Sequence, residues 1–234
     1  MYPPECDSCQ NPAGPLLAND RLCGACFKKL VPIQSPYCSK CAEPFPAAGE
    51  ANFLCANCEG RKLGFDFAFA PYESRGPVRE LIHEFKYNRK IHLRSVLGWM
   101  LEQGIAEPRI MARADWILVP VPLHGKRMRE REFNQSYEIA RALHKTTGFQ
   151  LLDGLQRNRY TTGQAKLGRK GRLENLKGAF NLKPSSARRE SFRDRHILLV
   201  DDVLTTGATL HECATVLKKE GHAAQVVGLC VARG

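Results

Sequence analysis

From residue 61 onward, apolar residues recur at the spacings of strands and helices. Phe65, Phe67 and Phe69 alternate with Asp66 and Ala68, the period of a strand. Val78, Leu81, Ile82 and Phe85 follow helical spacing. Trp116-Ile117-Leu118-Val119 predicts a short buried strand, stopped by Pro120 and Pro122. A helix is expected from Asn134 to His144, burying Tyr137, Ala140 and Leu143, and a further strand over Leu151 to Leu155. After a long polar segment comes the apolar run Ile197-Leu198-Leu199-Val200. The helix that follows places Leu210, Cys213, Ala214 and Leu217 at i, i+3, i+4 and i+7, with Gly221 at its C-terminal cap. Val226 to Val231 reads as a closing strand. Strands that alternate with helices, some apolar on both faces, predict an α/β fold: a parallel twisted sheet flanked by helices.

Residues 1–60 have a different pattern. Their cysteines form four Cys-x-x-Cys pairs: Cys6/Cys9, Cys23/Cys26, Cys38/Cys41 and Cys55/Cys58. Each cysteine of the first two pairs has a counterpart 32 residues later, so a small unit is duplicated. The Pro, Gly, Ala and Asn between the pairs favour turns. So short a unit cannot bury an adequate core and needs a staple. Paired thiolates in tight turns suit structural zinc, which takes four soft donors in a tetrahedron. Two zinc ions are expected, both structural, with Cys6, Cys9, Cys23 and Cys26 on one and Cys38, Cys41, Cys55 and Cys58 on the other. An interleaved arrangement, joining the first and third pairs, is the alternative. Disulfides do not suit a cytosolic chain, and a redox dithiol needs only one pair. The chain therefore divides into 1–60, a cysteine-rich module, and 61–234, an α/β domain. Cys213 and Cys230 sit in apolar contexts and are read as core residues.

At 43% hydrophobic residues the 234-residue chain can build an ordinary core. No apolar stretch is long enough to span a bilayer, and the first residues lack the basic-then-apolar order of a secretory signal, so a cytoplasmic location is expected. The net charge of +11 is uneven: residues 1–60 hold four Lys/Arg and six Asp/Glu, and residues 61–234 hold 31 and 18, a sum of +13. That asymmetry points to an anionic partner, a phosphate ligand or nucleic acid.

The candidate chemistry lies at the end of the Ile197–Val200 strand. Asp201 and Asp202 follow it, then Val203 and Leu204, then Thr205-Thr206-Gly207-Ala208-Thr209 at the start of a helix. Gly207 permits close backbone approach, and free amides at a helix N-terminus favour a phosphate. The paired acids are placed to accept hydrogen bonds from ribose hydroxyls. An ordinary strand-to-helix turn with a Thr cap is the plainer alternative. A Walker loop is excluded, since no Gly-Lys-Thr/Ser follows a glycine-rich run.

Ile197 to Thr209 resembles, at every position, the phosphoribosyl-diphosphate (PRPP) signature of type I phosphoribosyltransferases. Val119-Pro120-Val121-Pro122-Leu123 with Arg127 to Gln135 resembles the ComF family, as do Thr161-Thr162-Gly163-Gln164, Arg172, Asn175 and Gly178-Ala179-Phe180. The cysteine pairs resemble that family's double zinc ribbon. One position departs: Glu132 stands where the family usually has Gly before Phe-Asn-Gln.

The resemblance implies a type I phosphoribosyltransferase-like sheet preceded by a zinc-ribbon module. It implies PRPP as ligand, Mg2+ bound with it, and transfer of a phosphoribosyl group to an acceptor, with Asp201 and Asp202 as the catalytic acids. Asp201, Asp202, Thr205, Thr206, Gly207, Ala208 and Thr209 would bind PRPP, with Lys126 and Arg127 of the loop Leu123 to Arg127 at the diphosphate. A mobile hood would correspond to Arg157 to Arg172, which holds six Lys/Arg and no acid. The family also implies an alternative role, handling single-stranded DNA in natural transformation beside other competence proteins, with PRPP as a ligand. Phe133, Tyr160 and Phe180 are the aromatics available for base stacking. His124, His196 and His211 are expected to be structural or exposed.

Overall fold

The computed structural model describes residues 4–12, 15–45, 53–160, 176–184 and 190–234. Five parallel strands form the main sheet in the order β1-β8-β7-β3-β4, where β1 is Phe67–Phe69, β3 Trp116–Pro120, β4 Gln150–Leu151, β7 His196–Leu204 and β8 Gln225–Arg233. A sixth, β2 (Tyr72–Glu73), continues the line of β1 along the same edge of β8 after the break at Pro71. Strands β5 (Leu155–Arg157) and β6 (Phe180–Leu182) pair separately as an antiparallel ribbon. The α/β class read from the apolar runs is the class observed.

Helices cover both faces. On one lie α2 (Gly76–Tyr87), α3 (Arg94–Glu102) and α6 (Gln135–Thr147), with Leu118, Leu198, Val200, Val227 and Leu229 of the sheet packed beneath them. On the other lies α7 (Ala208–Lys219) with the β5–β6 ribbon, over Ile117, Val119, Ile197, Leu199 and Val226. This split is the period-two alternation of strand side chains. It explains why the central strands are apolar throughout. The cysteine units hold little regular structure: the first contains a single turn, α1 (Gly24–Phe27), and two further short helices, α4 (Pro108–Met111) and α5 (Gly125–Arg131), lie elsewhere in the chain.

Several elements differ from expectation for identifiable reasons. Phe65 precedes β1 and packs on the α7 side, whereas Phe67 and Phe69 pack on the α2–α3 side. Helix α6 runs three residues beyond His144 and buries Gln135, Ser136, Glu138, Ile139, Ala140 and Leu143; Tyr137 is only half-buried. The segment Leu151 to Leu155 is two strand ends in different sheets, separated at Leu152 to Gly154. The cap of α7 is Glu220, and Gly221 follows it without a left-handed backbone. A Cβ on Gly221 would meet the Leu217 carbonyl at 2.7 Å, so close packing selects glycine there.

Candidate functional site

Strand β7 is the centre of the site. It pairs with β3 from His196 to Val200, where the ladder stops opposite Pro120, but with β8 all the way to Leu204. Pro120 cannot continue the ladder and Val121 turns away, after a last bond from its N–H to the Val200 carbonyl. The edge of β7 facing β3 is therefore unpaired from Asp201 onward. The connection leaving β3 passes through α6 on one face, and that leaving β7 passes through α7 on the other. Such a divergence at the carboxyl ends of parallel strands is where ligands bind in open α/β sheets.

Asp201 and Asp202 lie inside β7, not beyond it; the extended ladder with β8 holds both. Asp202 is 8% exposed and pairs with Lys86 of α2 at 2.7 Å. Asp201 Oδ1 accepts the Ser136 hydroxyl and the Asp202 N–H, each at 2.9 Å. Burial pushes the Asp201 carboxyl up to about 7, with the adjacent Asp202 charge adding to the rise and Lys86 opposing it. Ser136 is in place because Asn134 caps α6: its Oδ1 accepts from the Ser136 N–H at 3.1 Å and its Nδ2 donates to the Val121 carbonyl at 3.0 Å.

The turn Thr205-Thr206-Gly207 follows. Gly207 has φ +70°, caps α7, and would bring a Cβ to 3.3 Å from the Phe65 ring, so glycine is required twice over. No side chain of Gly207 exists to occupy the first amides of α7; Thr206 Oγ1 accepts only a long bond, 3.4 Å, from the Ala208 N–H. Ala208 is buried and Thr209 half-buried in the first turn of that helix.

Lys126 and Arg127 sit in the first turn of α5 and not in an open loop, because His124 Nδ1 accepts from the Lys126 N–H at 3.1 Å and starts the helix. His124 is thus a cap, and its ring lies 5.2 Å from that of Tyr160, over which Lys126 Nζ also sits at 4.8 Å. Arg127 is close enough to Arg157 of β5 that, after burial, its charge is the main cause lowering the Arg157 guanidinium; Arg157 in turn feels Asp201. Phe180 is buried beneath Arg157, 5.2 Å from its guanidinium, and Phe133 packs on Phe85, so neither offers a free face for a base. His196 bonds Asp115 at 2.9 Å, and His211 accepts the Gly64 N–H at 2.8 Å, a structural tie for a residue expected on the helix surface. Cys213 and Cys230 are fully buried. Of the expected hood, Arg157 to Arg172, residues 161–172 lie outside the described residues, with Thr161-Thr162-Gly163-Gln164 and Arg172, and so does Asn175.

The cysteines gather in sequence order. Cys6, Cys9, Cys23 and Cys26 bring their sulfurs within 4.8 Å of one another, and so do Cys38, Cys41, Cys55 and Cys58. The interleaved alternative is not the arrangement found. Cys9 and Cys23 sulfurs are 3.8 Å apart and Cys41 and Cys55 sulfurs 3.6 Å, near the roughly 3.8 Å edge of a tetrahedron with Zn–S of about 2.3 Å. In each unit the sulfur of the first cysteine accepts the N–H of the third at 3.3 Å, so the duplication is geometric as well as sequential. These donors fit structural Zn2+, with no position left for chemistry.

A double zinc ribbon domain matches residues 1–59, and a phosphoribosyl transferase domain matches residues 136–233. Competence protein F of Haemophilus influenzae is 29% identical over 208 residues, spanning 88% of this chain and 87% of its own. The chain is similar to that protein along nearly its whole length, with a double zinc ribbon domain ahead of a phosphoribosyl transferase domain. Two further relatives are DNA utilization protein YhgH of Escherichia coli, 29% identical over 216 residues and 89% of each chain, and Competence protein ComFC of Bacillus subtilis, 25% identical over 226 residues, 93% of this chain and 86% of that one. Glu132, where the resemblance implied Gly, adopts φ +69° and pairs with Arg89 at 2.7 Å. The end of α5 thus holds a side chain in the left-handed region.

Lys86 and Ser136 were not anticipated in the sequence, and Arg157 only as the first residue of the expected hood. Ser136 was discoverable, two residues past a helix-capping Asn. Lys86 lies on an amphipathic helix that gives no sign of which acid it meets.

Proposed function

We propose that this chain binds PRPP, or a related ribose phosphate, with Mg2+ where β3 and β7 diverge. The observation that carries this reading is the sequence of groups along one strand end: a carboxylate pair, Asp201 half-buried and Asp202 buried, then a glycine-capped helix start. The Gly207 turn and the first amides of α7 would take the 5-phosphate, with the Thr205, Thr206 and Thr209 hydroxyls as further donors. Asp201 and Asp202 would accept the ribose hydroxyls, Lys86 exchanging part of its hold on Asp202 for the ligand. Lys126 and Arg127 would meet diphosphate oxygens, Arg127 in forked geometry. Bound Mg2+ would offset charge on the diphosphate. In the transfer itself the bond from the sugar carbon to diphosphate breaks, diphosphate leaves with the electron pair, and an acceptor nucleophile, still to be identified, bonds to that carbon.

Titration calorimetry with Mg–PRPP tests the binding step. Wild type is expected to bind and Asp201→Asn/Asp202→Asn to lose at least tenfold in affinity; equal affinity in both sinks the assignment. Magnesium-dependent diphosphate release across an acceptor panel tests turnover separately.

A second reading, handling of single-stranded DNA in the cytoplasm, is favoured by the relatives named for competence and DNA utilization. It is also favoured by a hollow of about 380 Å3 lined by Arg21, Arg94, Arg141 and Lys145 beside Trp99. Among the described residues no helix is long and apolar enough to cross a membrane. Affinity for an oligonucleotide that falls steeply with salt would support this role, and none at low salt would remove it.

A further inference from the structure

The two cysteine units are attached to different parts of the chain. Cys6 and Cys26 belong to the buried cluster of α2 and α3, while Cys38, Cys41 and Cys58 share theirs with Phe65, Leu204 and Leu210. The second unit therefore packs behind the Thr205–Gly207 turn. Two routes connect them. Arg233, at the end of β8, is buried; its Nη2 pairs with Glu43 and lies 4.0 Å from Cys41 Sγ, and its Nη1 donates to the Leu204 carbonyl at 2.9 Å. Glu43 belongs to the knuckle itself, since its carbonyl accepts the Cys38 N–H at 2.8 Å. Leu204 is the residue before Thr205. On the other side, Lys40 Nζ donates to the Asp66 carbonyl at 2.6 Å and sits 5.6 Å from the centroid of Phe65, the ring that underlies Gly207.

We propose that Arg233 is a positioning residue through which the second cysteine tetrad, Cys38, Cys41, Cys55 and Cys58, sets the shape of the phosphate turn, so that metal held there and ligand bound at the turn favour each other. Four thiolates on one Zn2+ carry a net charge of two minus, and Arg233 is the buried cation beside them. With that charge in place its guanidinium is held between Glu43 and Cys41, and its other arm fixes the Leu204 carbonyl. The coupling is reciprocal by linkage: whatever the tetrad does for ligand affinity, the ligand does for the tetrad. The first tetrad, on the opposite face, is outside this connection. The ligand half of this proposal rests on the reading of the turn as a PRPP site.

The test uses the full chain loaded with two zinc ions, comparing wild type with Arg233→Ala, Arg233→Lys and Glu43→Gln, each checked for two zinc and native circular dichroism. Amide hydrogen exchange over residues 204–210 is read first, without ligand. Arg233→Ala is expected to speed exchange there about tenfold and leave the Cys6–Cys26 unit unchanged, with Arg233→Lys and Glu43→Gln smaller in the same direction. Zinc transfer to a chromophoric chelator is then timed with and without Mg–PRPP. In wild type the ligand should slow one of the two zinc equivalents several-fold, and Arg233→Ala should abolish that protection and weaken Mg–PRPP about tenfold. Unchanged exchange at 204–210 in a zinc-loaded Arg233→Ala overturns the proposal, as does a ligand that binds wild type yet protects neither zinc. Wild type that fails to bind Mg–PRPP while the exchange coupling persists overturns the ligand reading instead.

Discussion

Asp201→Asn is expected to stabilise the ligand-free chain, by an amount that grows with pH. In the fold, burial and the neighbouring Asp202 raise the Asp201 carboxyl to about 7; in the unfolded chain it titrates near 3.9. Below about pH 4 both states hold the proton and nothing is lost. As pH rises from about 4 to about 7 the unfolded chain releases its proton while the folded chain keeps it, so stability falls, and the loss is complete above the folded value. About three pH units at 1.36 kcal/mol each set an upper bound of about 4 kcal/mol. Asparagine keeps the acceptor that Ser136 Oγ and the Asp202 N–H use, both at 2.9 Å, and removes the charge. Local relaxation recovers part of the loss in the wild type, so about half the bound, about 2 kcal/mol, is expected at pH 8.5. For a chain of this size that is a rise in melting temperature of about 4–8 °C. Melts of the zinc-loaded protein at pH 5.5 and 8.5 give the answer, with zinc content measured at each pH because protons compete for thiolate ligands. A mutant no more stable than wild type at pH 8.5, or with a gain that does not depend on pH, refutes the reasoning.

Lys86→Met leaves Asp202 nine-tenths buried without its cation; a loss of about 3 kcal/mol in urea unfolding is expected, and a neutral result would show the pair to be dispensable. Asn134→Ala removes both the α6 cap and the bond to the Val121 carbonyl, for a loss of about 1–2 kcal/mol by the same measurement. Glu132→Gly relieves a left-handed side chain at the end of α5 and gives up an ion pair more than half exposed, so a gain of about 0.5–1 kcal/mol is expected. Metal analysis should find two zinc per chain, and one after Cys58→Ser; an unchanged count in that variant argues against the tetrad.

The elements that the sequence discloses are those whose surroundings are uniform. Ile197 to Val200 is buried on both faces, and Leu210, Cys213, Ala214 and Leu217 keep helical register, so both segments are legible from residue type alone. The cysteine tetrads are legible because an exact spacing is repeated. What escapes is decided by partners distant in sequence. The continuation of β7 through two aspartates to Leu204 depends on β8, not on strand propensity. The start of α5 at Gly125 depends on the side chain of His124 turning back to the Lys126 N–H. Lys86 meets Asp202 across more than a hundred residues, and Arg233 meets Glu43 across 190. Phe65 follows the alternation of its neighbours in sequence yet packs on the opposite face, because Gly207 leaves room for a ring there.

The location of bound ligand tests the central claim most directly. A crystal structure of the zinc-loaded chain grown with Mg2+ and PRPP should show the 5-phosphate on the amides of Thr206 to Thr209 and the ribose diol on Asp201 and Asp202, with Lys86 drawn off its pair. Sugar phosphate bound anywhere else, with that turn and both carboxylates untouched, contradicts the account.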